Sequence, residues 1–133
     1  MVSEKVNDFQ VSKNFNLREF QSPDTCEVIL HPRLVECLQK LRDKIHQQIK
    51  ITSGYRTPER NKAVGGVHDS YHMVGKAVDI VVEGITAKEM EKHAKECGFT
   101  YMKYYPDRKF FHLDIRDEER KEEQLCLRVK GKG

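Results

Sequence analysis

"SYHMVGKAVDIVV", residues 70–82, sets the terms for the fold. It reads as a turn around Gly75 followed by a short apolar strand over 77–82. Side chains alternate faces along a strand. Ala77, Asp79 and Val81 therefore share one face, and Val78, Ile80 and Val82 share the other. The second face is wholly apolar and must lie on a core. The first carries a carboxylate at its centre, where burial without a partner costs several kcal/mol or forces protonation. A later run, "KFFHLDI" (109–115), repeats the pattern. Phe111, Leu113 and Ile115 form its apolar face, and Phe110, His112 and Asp114 the interrupted one.

Working outward, "PRLVECLQKLRDKIHQ" (32–47) places Leu34, Leu38, Leu41 and Ile45 at helical spacing, with Pro32 suited to a first turn. "IKITS" (49–53) alternates as a strand, and "GYRTPERN" after it reads as a loop. "TAKE" (86–89) has Thr86 and Glu89 in capping-box positions, Met90, Ala94 and Cys97 supply a stripe, and Gly98 suits a helix end. "FTYMKYY" and "KFFHLDI", joined by "PDR", predict a hairpin. "RDEERKEEQ" reads as a solvated charged stretch and "LCLRV" as a further edge strand. The order helix, strand, strand, helix, strand, strand predicts an α+β fold, an antiparallel sheet with helices packed on one side.

A chain of 133 residues is long enough for one core and too short for two ordinary domains. One domain over 1–133 is therefore expected, with a core of about 15–116 and a charged segment at 117–133. The formal charge of +3 is small and dispersed, so no nucleic-acid partner is expected. No run reaches the roughly 20 apolar residues that span a bilayer, so no membrane partner is expected, and a monomer is the default. "MVSEKVNDFQVSKNF" lacks the apolar centre of a leader. Such a chain would act in the cytoplasm, or reach the cell wall by phage-type lysis. Cys26, Cys37, Cys97 and Cys126 contain no C-x-x-C pair. Reduced, mostly buried thiols are expected rather than a zinc ribbon.

His72, Asp79 and His112 offer two imidazoles and a carboxylate. Three protein ligands with a fourth position left to water is the arrangement of catalytic zinc. The nitrogen and oxygen set suits Zn²⁺ better than calcium or magnesium. Read alone, Asp79 could equally cap a turn or pair with Arg56 or Lys76. "HDSYH" (68–72) approximates the H-E-x-x-H zinc helix, but Gly65, Gly66 and Gly75 crowd it and no helical stripe runs through it. Arg56, in "SGYRTPERN", offers a planar fork to a substrate carboxylate.

"FNLREF", "ITSGYRTPERN", "GG", "SYHMVGKAVDI" and "FFHLDIR" together resemble the bacterial and phage zinc D-alanyl-D-alanine peptidases. That group of peptidoglycan-cutting enzymes shares its fold with the hedgehog signalling domain, and the likeness is to its small single-domain branch. The resemblance implies zinc ligands at His72, Asp79 and His112. It also implies a substrate-side role for Arg56 and Ser70, with Gly75 and Ala77 as framework. The implied reaction is hydrolysis of a peptide bond in peptidoglycan stem peptides or cross-links, as a carboxypeptidase or an endopeptidase. One departure concerns the general base. Where some branches place an acid, three positions before the last ligand, this chain has Lys109. Where others place a histidine, two positions before it, this chain has Phe110. Asp114 is then the first choice for the base by strand facing, and Asp107, in the preceding turn, the second. Two alternatives stand beside the wall peptidase: a catalytically silent zinc-containing wall-binding module, and a cytoplasmic D-Ala-D-Ala dipeptidase.

Overall fold

The computed structural model describes residues 6–116. The charged stretch, the "LCLRV" strand and Cys126 expected beyond residue 116 lie outside the described residues. Near the start, β1 (Gln10–Ser12) and β2 (Phe15–Asn16) pair antiparallel. A 3-10 turn over Leu17–Phe20 follows, closed by a capping box between Asn16 and Glu19.

Helix α1 (Pro32–Ile45) opens with Pro32 at a position whose missing N–H is no loss, and ends at His46 in the left-handed region. Its Leu34, Leu38 and Leu41 are buried, as their spacing predicts. Four strands follow: β3 (Lys50–Ser53), β4 (Ala77–Val81), β5 (Tyr101–Tyr105) and β6 (Phe110–Asp114). They form one antiparallel sheet in the order β3-β4-β6-β5. Between β4 and β5 lies a helix over Ala87–Glu96, whose Thr86–Glu89 capping box is formed on both sides.

Among the described residues, one α-helix departs from expectation. The "TPERN" segment folds into α2 (Pro58–Ala63), with Thr57 as N-cap and Pro58 in the first turn, making the helix over Ala87–Glu96 α3. The α+β reading with its antiparallel sheet is borne out. Leu34, Leu38 and Leu41 from α1 and Met90 and Ala94 from α3 join Val78, Ile80, Phe111 and Leu113 in one core cluster. Each large apolar side chain buried there contributes about 1.5–3 kcal/mol relative to exposure. The apolar strand faces thus meet the two long helices, leaving the interrupted faces of β4 and β6 to the site.

Cys37 and Cys97 are buried and Cys26 is half-buried, all three as free thiols. Burial pushes the Cys37 and Cys97 thiols up, so neither is activated as a thiolate. No described helix is long and apolar enough to cross a membrane.

Candidate metal centre

Register does what spacing alone could not. In the β4–β6 pair, Asp79 stands opposite His112, and in the β3–β4 pair it stands opposite Ser53. Cross-strand partners on one face lie within side-chain reach. His72 arrives from the other side of the Gly75 turn, on a 3-10 turn over Tyr71–Val74. Gly75 ends that turn with φ +72°, and a Cβ there would sit 2.3 Å from the Ile29 carbonyl oxygen, so only glycine fits. His72, Asp79 and His112 form the described group whose ligand atoms could share a metal ion, all within 4.8 Å of one another.

The hydrogen bonds fix how the rings are held. His72 Nδ1 lies 2.7 Å from the Gly54 carbonyl oxygen, which can only accept, so Nδ1 carries the proton. His72 Nε2 then faces Asp79 Oδ1 at 3.2 Å. His112 Nε2 donates to Asp114 Oδ2 at 2.8 Å, which turns its Nδ1 to Asp79 Oδ1 at 2.9 Å. Two inner ring nitrogens and one carboxylate oxygen therefore converge. With neutral rings all three are lone-pair acceptors, an arrangement that needs a cation or extra protons between them. The edge of a tetrahedron of 2.0–2.1 Å zinc bonds is about 3.3–3.4 Å. The two Asp79 separations, 3.2 and 2.9 Å, are near or slightly under that edge, and all three ligand atoms lie within 4.8 Å of one another, so the donor set suits a metal ion once the atoms adjust around it. A far ring nitrogen anchored to a carbonyl or carboxylate is also how metal-ligating histidines are oriented.

Charge follows the same pattern. Burial works against the Asp79 carboxylate, but the adjoining His112 and His72 rings hold its pKa far below the ordinary range. For His112, burial opposes the charge while Asp114 and Asp79 push the pKa up. The outer oxygen of Asp79 takes Arg56 Nη2 at 3.2 Å. Arg56 Nε donates to Ser53 Oγ at 3.1 Å and Nη1 to Asn61 Oδ1 at 3.2 Å. Burial lowers the Arg56 pKa and Asp79 partly offsets it. Of the pairings open to Asp79 from sequence, that with Arg56 is the one formed.

Two of the expected site residues are held by partners within the fold. Ser70, expected on the substrate side, is buried, and its hydroxyl accepts from the His72 backbone N–H at 3.2 Å. It caps the turn that carries His72. Asp114, expected as general base, is fully buried. Its carboxylate accepts from His112, from Arg116 Nη2 at 2.6 Å and Nε at 2.9 Å, and from the Arg116 backbone N–H at 3.1 Å. Burial would raise its pKa, but the Arg116 and His112 bonds hold it below the usual carboxylate range. The carboxylate thereby anchors the outer nitrogen of the His112 ring. Asp107 is exposed in the β5–β6 turn, and among the described residues no hydrogen bond or ion pair joins it to the cluster.

Arg116 itself lies against the rings of Tyr101 at 3.7 Å and Tyr71 at 4.8 Å. Sequence reasoning missed Arg116, Ser53 and Asn61. Their signal is only three-dimensional, apart from the Thr57–Pro58 start of α2, which could have placed Asn61 on a helix.

A family model for peptidase M15 matches residues 5–114. The chain belongs to the peptidase M15 family. Known proteins similar to it include the peptidoglycan L,D-endopeptidase MepK of Escherichia coli K12, 29% identical over 92 residues, 64% of this chain and 50% of that protein. Another is a probable peptidoglycan L,D-endopeptidase of Haemophilus influenzae, 29% identical over 72 residues, 50% of this chain and 39% of that one. The crystal structure of the Serratia marcescens L-Ala D-Glu endopeptidase ChiX aligns with a TM-score of 0.45 at 19% identity, covering 65% of this chain and 80% of the other. The chain spans half or less of the length of these two sequence relatives. Membership of the M15 family bears out the resemblance read from "SYHMVGKAVDI" and "FFHLDIR".

Proposed function

We propose that the chain is a zinc peptidase that hydrolyses a peptide bond in peptidoglycan stem peptides or cross-links. The observation that carries this reading is the convergence of His72 Nε2, His112 Nδ1 and Asp79 Oδ1 while both outer ring nitrogens are spoken for. The peptidoglycan endopeptidases among its relatives point the substrate class the same way. His72, Asp79 and His112 would hold the ion. When bound, zinc would polarise the scissile carbonyl and acidify the attacking water.

The rest of the chemistry belongs to the chain. Gly54 and Asp114 keep the protons on the outer nitrogens of the two rings, so the inner nitrogens stay available. Arg56 holds the outer oxygen of Asp79 and leaves the inner one for the ion. Asp114 is a positioning residue for His112. Of the two acids considered as proton acceptor, Asp107 is the one with an uncommitted carboxylate, and Asp107→Asn tests it.

Incubating zinc-loaded protein with purified peptidoglycan tests the function. Release of new amino groups or soluble muropeptides is expected. A protein that sediments with the wall yet releases nothing would instead support the silent binding module, a reading favoured by Lys109 and Phe110, which stand where the resemblance leads one to expect an acid or a histidine as base. Turnover of the free D-Ala-D-Ala dipeptide in place of wall peptides would favour the dipeptidase.

A further inference from the structure

Beside Asp79 opens a cleft of about 430 Å³ whose walls include Glu19, Arg56, Arg60, Arg108 and Phe110. Three guanidinium groups against the two carboxylates of Asp79 and Glu19 give the cleft a positive excess, which favours an anionic ligand. Arg56 is not the group waiting for that anion. Its Nε, Nη1 and Nη2 are committed to Ser53, Asn61 and Asp79, and its side chain is only 16% exposed. Arg60 and Arg108 differ: neither makes an ion pair among the described residues. Glu19 does not neutralise them by contact, because its carboxylate closes the capping box on the Asn16 backbone N–H at 2.8 Å.

The two arginines come from different elements. Arg60 sits in α2, one turn beyond the N-cap Thr57, whose buried hydroxyl also donates to Asp24 at 2.7 Å. Arg108 sits in the turn before β6, two residues from Phe110, whose ring stacks on Tyr105 with centroids 4.6 Å apart. A rigid helix and a stacked hairpin end thus carry the two forks, with Val81 and Phe110 supplying an apolar strip in the same cleft. A planar carboxylate is the ligand such forks suit, and a cleft of this size takes a short peptide.

We infer that Arg60 and Arg108 form a carboxylate-reading pair that selects acidic peptides for the neighbouring metal centre. This deepens, and rests on, the proposed peptidase function. It adds to Arg56, expected from the sequence, two residues that no expectation named. The carboxylate could belong to the peptide's C-terminus or to an acidic residue within it, and the chemistry is the same for both.

The test uses zinc-loaded protein and three otherwise identical stem peptides: the free acid, the C-terminal amide, and the peptide with its internal acid amidated. Binding is followed by fluorescence anisotropy and cleavage by product release. One of the two amides should bind at least about tenfold more weakly than the acid, as expected for losing a charge-assisted hydrogen bond, and which amide does so names the carboxylate. Arg60→Gln with Arg108→Gln should weaken acid binding about 10- to 100-fold, leave that amide's Kd within about twofold, and keep the same thermal midpoint. Equal binding of all three peptides by wild type, binding of none, or a preference that survives in the double variant would overturn the pair. Selective binding without cleavage would sink the peptidase function and leave the pair standing. Cleavage without preference would do the reverse.

Discussion

Replacing Asp114 by asparagine separates two roles that look alike in sequence. The aspartate has two oxygens for four contacts: Oδ2 serves His112 Nε2 and Arg116 Nη2, and Oδ1 serves the Arg116 backbone N–H and Nε. Asparagine has one acceptor oxygen, so it keeps either the Oδ2 pair, His112 and Arg116 Nη2, or the Oδ1 pair, the Arg116 backbone N–H and Nε. Even where it keeps the ring, a charge-assisted bond becomes a neutral one, a loss of about 1–1.5 kcal/mol. Where it turns its NH₂ to His112, the ring loses its anchor altogether. Groups that orient a metal-ligating histidine in this way are typically worth about 10- to 100-fold in metal affinity or activity. Zinc affinity of Asp114→Asn, measured by competition with a chromophoric chelator, should therefore fall by about that factor, and excess zinc should restore much of the activity. A proton acceptor behaves differently. Its removal would leave zinc affinity intact and cost about 10²- to 10⁴-fold in kcat at saturating zinc. That second outcome would refute the positioning role and return Asp114 to the place sequence first gave it.

Other perturbations probe the same centre. Zinc at about one hundred times its Kd should stabilise the fold by about 2.7 kcal/mol, raising Tm by roughly 10 °C over chelated protein in a thermal scan, and an unchanged Tm would count against the site. Gly75→Ala should cost more than about 2 kcal/mol in urea unfolding, since φ +72° and the Ile29 carbonyl both oppose a Cβ, and zinc binding should weaken with it. The metal-free protein should lose stability on both sides of a mildly acidic optimum. Asp79 and Asp114 have folded pKa values below the ordinary 3.8, so their contribution is present above that value and lost as pH falls through the folded ones. His112 is raised above 6.5, so its contribution is full below that value and lost as pH rises through the folded one. Urea midpoints across pH 3–9 check this, and a midpoint that climbs steadily to pH 9 would contradict it.

The periodic elements were legible because a period of two or of 3.6 is written into consecutive residues. The leucines of α1 and the alternation in β4 and β6 each declared a buried face. Helix α2 was not legible as a helix, since six residues are too few to show a stripe, although Thr57 and Pro58 form a sound start signal. β1 and β2, at three and two residues, carry less pattern still. In the site, strand alternation put Asp79, His112 and Asp114 on exposed-looking faces, but the pairing of Asp79 with His112 depends on register, which the hairpin and crossover lengths set. The roles of Asp114 and Arg56 turned on partners more than twenty residues away or on an unremarked arginine next door, and no local pattern records those.

Gly54 gives the centre an unexpected dependence on the start of the chain. A Cβ there would lie 2.6 Å from the Phe20 Cα, and the Tyr55 backbone N–H bonds the Phe20 carbonyl at 2.7 Å. The backbone of "FNLREF" is thus a wall against which the His72 acceptor is pressed into place. Trimming toward a minimal catalytic unit has a hard stop at this point. A version beginning after Phe20 would keep every ligand and every arginine named above, yet lose the surface that holds one ligand's proton where it belongs.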